Sequence, residues 1–517
     1  MLTPYAPTTY IDFSQPSHRA EYEAALKKVR AGLGKSYGLY IDGKWIETAK
    51  TFASLNPSNK SETLARFASG EVAHVEQAVA AATKAFSSWA ALPVEERAFL
   101  ILRAARLMKQ RRHEFSALMT LEAGKNWNEA DADTAEAIDF LEFYAREAIR
   151  LQGSEHPVTP YAGENNGVRY IPLGVGAVIP PWNFPLAICV GMAAAALVTG
   201  NTVVLKPASD TPLIALRFVE LLIECGIPAG VINFLTGSGS AIGDPLVEHK
   251  DIRFISFTGS REVGVALNVK AAKVQPGQKW LKRVVAEMGG KDTIIVDDSW
   301  TDLDDAAAGI VQAAFGFQGQ KCSACSRLVL TPGVKDGIIE RIVERTKKIT
   351  QGPVEQFENW LGPVSSANAF KKISEYIGVG KTEGKLLTGG GSDDNQGFFI
   401  QPTIFDGIAP AARLSQEEIF GPVLSVIHAK DFNDALAIAN NTVYGLTGGL
   451  YALDRSRLAR ARNEFHVGNL YLNRKCTGAL VDVQPFGGFN MSGTDSKAGG
   501  RDYLLLFTQA KSITERF

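Results

Sequence analysis

Cysteine, histidine and long apolar runs are all scarce in this sequence, and each scarcity closes off a class of protein. The five Cys (Cys189, Cys225, Cys322, Cys325 and Cys476) are an odd number without framework spacing. They argue against a disulfide-stapled secreted fold and for free thiols in a reducing compartment, with the cytoplasm as the default. Cys322 and Cys325 form a CxxC, but there is no second CxxC and no HxxxH, so a closed zinc site would lack half its ligands. The seven His stand singly, which leaves no evident catalytic metal. A dithiol redox pair stays open, because CxxC can lower a thiol pKa. The longest apolar stretch, residues 186–200, is shorter than the roughly 20 residues a membrane span needs, and reads as a buried helix. There is no run of five basic residues and the net charge is −1, so neither nucleic acid nor a membrane surface is an expected partner. The opening MLTPYAPTTYIDFS has neither the order of a secretion signal nor the Arg-rich character of a transit peptide.

What is present is an ordinary soluble composition, 45% apolar and 21% charged, spread over 517 residues, too long for one core. Residues 18–34 have helical spacing closed by Gly and form an N-terminal arm. Residues 38–47 alternate apolar and polar around Asp42-Gly43, a hairpin signal. From Glu71 to about Arg150 the pattern is helical, in three amphipathic blocks. After a turn-rich interval at 153–167, short Val/Ile-rich runs alternate with helices as far as FTGS. That alternation predicts βαβ units, a parallel sheet and an α/β nucleotide-binding domain. A second strand–helix series follows Glu287, so two α/β halves joined near Met288-Gly289-Gly290 would leave a cleft between them. The final YLLLFTQAKSITERF holds an apolar strand without an evident partner, which predicts that it completes another subunit's sheet.

Five stretches carry chemistry. In FGFQGQKCSACSR, residues 315–327, Gly316 and Gly319 allow close backbone approach or positive φ just before Cys322, which suits a thiol presented in a cleft. A lone Cys is as often simply buried. FTGSREVG, with Gly259 and Ser260, follows a strand and opens a helix whose N–H groups and dipole can meet a pyrophosphate, although an ordinary strand–turn–helix reads the same way. Lys206 in NTVVLKPAS lies at a strand end, where open α/β sheets bind ligands. PPWNFP fixes an amide, Asn183, in a rigid loop, and amides serve as oxyanion donors; it reads equally as a proline-rich turn with a capping Asn. Glu287 stands at a strand end before Gly-Gly, compatible with a general base or with turn chemistry alone.

Together PWNFP, KPAS, FTGS, EMGGK, FGFQGQKCSA, EEIFGP and PFGGFNMSG stand in the order, and at about the spacing, of the aldehyde dehydrogenase superfamily, so the resemblance covers nearly the whole chain. The run FHVGNLYLNRKCTGALVDVQPFGGF, with GFQGQKCSA and the extended amino terminus, resembles most the Δ1-pyrroline-5-carboxylate dehydrogenases, which oxidise L-glutamate γ-semialdehyde to glutamate in proline breakdown. The resemblance implies an α/β fold with a Rossmann-like cofactor domain, a catalytic domain and a small oligomerisation flap. It divides the chain into an arm (1–37), an NAD(P)-binding domain (38–151 and 172–287), a catalytic domain (288–482) and the flap (152–171 and 496–517).

The same resemblance assigns roles. Cys322 matches the nucleophile that forms a thiohemiacetal and then a thioester, Asn183 with the Cys322 N–H matches the oxyanion hole, and Glu287 matches the base that activates water. Lys206, Ser209, Gly259 and Ser260 look like contacts to the adenosine ribose and pyrophosphate, and Glu418 and Phe420 like contacts to the nicotinamide ribose and ring. For the substrate, Ser323 with the N–H groups of Gly478 and Ala479 resembles a carboxylate cradle, Phe184 and Phe486 aromatic walls, and Glu136 a polar contact at the pocket edge; core aromatics and a solvated helix carboxylate are the plainer reading. The implied cofactor is NAD. Ser209 stands where NAD-preferring relatives usually carry Glu, which adds the expectation that NADP is accepted alongside it. The implied partners are the small-molecule substrate, further copies in a dimer or dimer-based homo-oligomer, and transiently a separate proline dehydrogenase. Reversible oxidation is expected to link Cys325 to Cys322. A dehydrogenase for another semialdehyde such as succinate semialdehyde, a catalytically silent structural member, and an NAD-independent thiol hydrolase are the competing readings.

Overall fold

A computed structural model describes residues 3–517, so that residues 1 and 2 of the expected arm lie outside the described residues. Two seven-stranded sheets organise it. The first runs in the order Arg283–Glu287, Ile252–Thr258, Val175–Ile179, Thr202–Leu205, Ile232–Phe234, Leu39–Ile41, Lys44–Ile46, with the first five strands parallel. The second runs Lys385–Thr388, Thr403–Asp406, Val423–His428, Cys325–Leu330, Asp292–Val296, Thr447–Tyr451, Asn469–Leu472, and only its first pair is antiparallel. Two α/β halves were therefore readable from the alternation of short Val/Ile runs with helices. Central strands such as Thr202–Leu205 and Asp292–Val296 are buried along their whole length, which is why they carry β-branched residues without a polar face.

The Asp42-Gly43 hairpin is present, with both residues left-handed at φ 49° and 80°. It adds two antiparallel strands to the edge of the parallel sheet by pairing with Ile232–Phe234. A second pair, Thr51–Asn56 with Asn59–Ala68, had no counterpart in the sequence reading.

Two expectations need correction. The helical stretch consists of four helices, Val72–Ala91, Val94–Gln110, Arg112–Ala123 and Trp127–Gln152. The second expected block breaks at Arg111, whose backbone leaves the helical region (φ −107°, ψ 21°). The Arg111-Arg112 pair is divided there: Arg111 bonds Glu224 at 2.6 and 2.7 Å, and Arg112 grips the buried Asp131 with two bonds of 2.6 Å. The terminal strand, Thr508–Arg516, is also not unpaired. It forms nine antiparallel pairs with Glu164–Pro172, inside the turn-rich interval of the same chain, and His156–Pro157 completes a small third sheet. The polar composition of 164–167 and the sequence distance between the partners hid the pairing.

The Ala187–Val198 helix, buried at every position but one, fills the centre of the first half. Tyr503, Leu504 and Phe507 pack into the same core. Asn201 locks this junction: its Oδ1 accepts the Gly174 N–H at 2.8 Å and its Nδ2 donates to the Phe507 carbonyl at 2.9 Å. Replacing Asn201 by Ala leaves both buried groups unpaired and is expected to destabilise the protein by about 2–3 kcal/mol. A lowered thermal unfolding midpoint checks this; an unchanged midpoint counts against the clamp.

Candidate active site

The Leu303–Phe315 helix delivers the chain into a tight turn in which Phe317, Gln318 and Gly319 are all left-handed, at φ 50°, 58° and 65°. Of the two glycines expected to supply that freedom, Gly319 does and Gly316 does not; two larger residues take the conformation instead. Each non-Gly residue held there costs on the order of 1–3 kcal/mol, so the surroundings must impose it. They do so through a buried amide and a buried cation. Gln318 Nε2 donates to the Gly124 and Pro363 carbonyls at 3.0 and 2.6 Å. Lys125 Nζ lies 4.5 Å from the Phe317 ring centroid and 3.8 Å from that of Phe184, and is neutralised by Asp133 at 2.7 Å. Asp133 also accepts the Ala187 N–H at 2.7 Å, which ties the pair to the start of the central helix. Gly319 has a second reason to be Gly, since a Cβ there would lie 2.4 Å from the Gly421 carbonyl oxygen.

Beyond this turn Cys322 sits where two cavities meet. The smaller, about 150 Å³, is lined by Glu136, Phe184, Glu287, Ser323, Gly478, Ala479 and Phe486, among others. The larger, about 500 Å³, is lined by Asn183, Gly259, Ser260, Glu418 and Phe420 with their neighbours. Thr258, Met288 and Cys322 belong to both.

The larger cavity fits a dinucleotide. It opens at the carboxyl end of the Ile252–Thr258 strand, beside the start of the Arg261–Ala272 helix, where Ser260 Oγ caps the Val263 N–H and the first turn is free for an anion. A Cβ at Gly259 would fall 2.5 Å from the Phe257 ring, so only glycine admits this turn. Glu418 Oε1 accepts the Gly290 N–H at 3.0 Å, and burial pushes its carboxyl up. Lys206 and Ser209 lie outside this lining: buried Lys206, pushed down to about 8 by desolvation, turns its Nζ onto the Pro207 carbonyl at 3.2 Å, and Ser209 is exposed. Ala208 and Asp210 from the same loop reach the cavity instead, with Trp182 and Lys372. Asp210 immediately follows the KPAS stretch, and that proximity was its only available signal.

The groups around the thiol are unusually unwilling to carry charge. Burial, then the carboxylates of Asp292, Glu418 and Glu287, push the Cys322 thiol far up, opposed only by the Ser323 N–H. Burial likewise raises Glu287 to about 8. Glu287 closes the Arg283–Glu287 strand, where its Oε2 accepts the Gly488 N–H at 3.2 Å and its Oε1 accepts the Ser496 hydroxyl. Asn183 Nδ2 spends one N–H on the Gln320 carbonyl at 3.0 Å, leaving the other for an incoming oxygen. On the substrate side, the Ser323 carbonyl is fixed by the Cys476 thiol at 3.5 Å and the Thr447 hydroxyl at 3.4 Å, and Gly478 is left-handed at φ 81°. Lys321, paired with Glu129 at 2.7 Å, together with Tyr10, Tyr144 and Tyr503, lines this cavity without having been foreseen.

Cys325 is turned away from Cys322. It opens the Cys325–Leu330 strand in register with Asp292, donates its thiol to the Arg327 carbonyl at 3.4 Å and is buried in one cluster with Cys476. A bond to Cys322 would pull it out of the ladder, so the expected Cys322–Cys325 link does not suit this geometry.

A thiol set between a nucleotide cavity and a smaller, largely apolar cavity with a few polar groups, with an amide donor and a carboxylate beside it, defines a dinucleotide-dependent oxidoreductase working through a covalent sulfur intermediate. The sequence profile of the aldehyde dehydrogenase family matches residues 45–513, and the chain belongs to that family. It is 55% identical over 517 residues, all of both chains, to a 1-pyrroline-5-carboxylate dehydrogenase of Geobacillus sp. (strain WCH70). Among solved structures it is similar to a 1-pyrroline-5-carboxylate dehydrogenase from Thermus with bound NAD, at 50% identity and a TM-score of 0.98 over all of both chains. It is also similar to proline utilization A from Bdellovibrio bacteriovorus, at 42% identity and a TM-score of 0.97, covering 99% of this chain and 53% of that one.

The Ser496 hydroxyl favours the charged form of Glu287, so removing it raises the carboxyl pKa further. A base works only above its pKa. With Glu287 read as the base, the rise of kcat with pH is expected to have its inflection at about 8 in the parent protein and at higher pH in Ser496→Ala, with several-fold lower activity at pH 7. An unmoved inflection in the kcat–pH profile counts against this arrangement.

Proposed function

We propose that this protein oxidises L-glutamate γ-semialdehyde, the open form of 1-pyrroline-5-carboxylate, to L-glutamate with NAD, as a step of proline degradation. One observation carries the reading: Cys322 lies in both cavities, so an aldehyde entering from one side meets a nicotinamide entering from the other at a single sulfur. Glu287 takes the thiol proton, the sulfur adds to the aldehyde carbon, and the oxygen of the thiohemiacetal rests on the free Asn183 N–H and the Cys322 N–H. NAD, when bound, accepts the hydride. Glu287 then passes the thiol proton to solvent, and the thioester left on Cys322 is hydrolysed by a water that Glu287 deprotonates; the acyl–sulfur bond breaks, the carboxylate leaves and the sulfur takes back the proton held by Glu287. The N–H groups of Gly478 and Ala479 with the Ser323 hydroxyl hold the α-carboxylate at the far end of the smaller cavity, Phe184 and Phe486 flank the carbon chain, and Glu136 provides the polar contact at the edge. Gly259, Ser260, Glu418 and Phe420 hold NAD. Lys206 and Ser209 reach its adenosine end only if their side chains turn toward the cavity on binding.

The fold supports a division into an arm (1–37), a dinucleotide half (38–151 with 172–287), a catalytic half (288–482) and a flap (152–171 with 496–517). The small third sheet leaves Val158, Tyr161 and Phe517 exposed beside it, which supports a second copy against it and a homo-oligomer built on dimers. Among the described residues no helix is long and apolar enough to cross a membrane. The five free thiols support a reducing, cytoplasmic setting. The likeness to proline utilization A, of which this chain covers 53%, supports a separate proline dehydrogenase as a transient partner.

With 1-pyrroline-5-carboxylate and NAD, Cys322→Ala is expected to give no NADH above background. Glu287→Gln should keep a first-turnover burst of NADH while steady-state turnover falls by about 10²–10⁴-fold. A burst lost together with turnover would move Glu287 to the first step alone. Because Ser209 brings no carboxylate to the ribose, NADP should support turnover within about tenfold of NAD, and Ser209→Glu should depress NADP selectively. A preference for NAD of several hundredfold that Ser209→Glu leaves unaltered would remove the NADP expectation.

A further inference from the structure

The smaller cavity has one wall that comes from neither half of the molecule. Tyr10, on the irregular chain ahead of the Pro16–Ala31 helix, lines it beside Glu136 and is half exposed at its mouth. The segment that carries Tyr10 is pinned on both sides. The Thr8 N–H donates to Asp139 at 2.8 Å and the Ile11 N–H to Asp131 at 2.9 Å, two carboxylates of the Trp127–Gln152 helix. The spacing matches: three residues of extended chain cover roughly 10 Å and eight residues of helix roughly 12 Å. Between these pins the Thr9 carbonyl accepts Arg112 Nη1 at 2.8 Å, from the same guanidinium that grips Asp131. Further out, Arg146 Nε donates to the Thr3 carbonyl at 2.9 Å. The Tyr5 hydroxyl donates to the Val481 carbonyl at 3.3 Å, next to the stretch that carries Gly478 and Ala479.

We propose that residues 3–12 form a strap closing the substrate cavity from outside, and that Tyr10 is a specificity-determining side chain which keeps longer, uncharged aldehydes from Cys322. The proposal rests on reading the smaller cavity as the aldehyde's. The strap joins the helix that bears Glu136 to the loop that bears Gly478, so it sets the cavity's outer dimension as well as capping it. A helix carboxylate facing a chain N–H would otherwise be solvated; here Asp131 and Asp139 are both buried, and their protein partners are strap N–H groups together with Arg112 and Tyr5. That is an arrangement for holding a segment in place.

The test compares kcat/KM for glutamate γ-semialdehyde and for hexanal in the parent protein, Tyr10→Ala and Tyr10→Phe. Tyr10→Ala is expected to shift the ratio toward hexanal by about tenfold, mainly through KM for both aldehydes, and Tyr10→Phe to restore the parent ratio. A merely structural role would lower both rates together and leave the ratio unchanged, which would overturn the proposal. Alkylation of Cys322 with NAD present, read by peptide mass spectrometry, gives an arm independent of the reaction. Tyr10→Ala should speed N-phenylmaleimide relative to iodoacetamide by about fivefold, since thiol reaction depends on access. If the parent protein oxidises neither aldehyde but this alkylation ratio shifts, the functional reading falls and the strap stands. An unshifted alkylation ratio overturns the strap whatever the aldehyde kinetics show.

Discussion

The position of Cys322 depends on a left-handed turn that the protein must hold by force. Phe317 and Gln318 adopt a backbone that costs each of them energy, and neither would stay there in an isolated peptide. The holding groups come from distant parts of the chain: Lys125 between the third and fourth helices of the helical stretch, Asp133 in the fourth, the carbonyls of Gly124 and Pro363. Lys125 also lies on the ring of Phe184, the residue after Asn183. One buried ammonium therefore fixes both the loop that presents the sulfur and the loop that carries Asn183. A lone buried charge would be intolerable, and Asp133 makes it tolerable only while the pair is complete, at which point removing either partner costs about 3–5 kcal/mol. The site is thus rigid because its supports are strained and charged.

Electrostatics at the site follow from dryness rather than from opposed charges. Cys322, Glu287, Glu418 and Asp292 are all displaced toward their neutral forms by burial, and the cation Lys291 is displaced the same way, down to about 7. In surroundings that disfavour charge, a thiolate or an oxyanion has little water to stabilise it and leans on the few donors present. In such a medium a single N–H from Asn183 weighs far more than it would in solvent. Glu287, with its carboxyl at about 8 in the same dry surroundings, changes state close to neutral pH, which is what the proposed water-activating role requires.

How much of this was legible in the sequence depended on distance. Local signals survived: the Asp42-Gly43 turn, the strand before FTGS, the buried helix at 186–200, Glu287 at a strand end. The ordered motifs named residues that the structure gathers around one sulfur, and thirteen of the fifteen candidate residues line the two cavities. What failed was long-range. The Thr508–Arg516 strand pairs with a polar segment more than three hundred residues earlier, and no period in either stretch announces it. Cys325 looked like a neighbour of Cys322 because they are three apart, but the chain enters a strand between them and sends the two thiols to different places. Tyr10 had no signal at all, since its role comes from carboxylates on a helix one hundred and twenty residues away.

The Met288-Gly289-Gly290 link between the halves shows how tightly fold and chemistry are joined. A Cβ on Gly289 would lie 2.2 Å from Glu418 Oε1, and one on Gly290 would lie 2.5 Å from the Cys322 carbonyl oxygen. Neither glycine has positive φ, so conformational freedom is not the reason for them. Space is. The chain crosses from the first sheet to the second between the Glu418 carboxylate and Cys322, and a side chain at Gly289 or Gly290 would collide with one or the other. Glu287 ends one sheet just before this crossing and Asp292 begins the other just after it. At this crossing only a glycine backbone fits between Glu418 and Cys322, and both cavities reach Cys322 beside it.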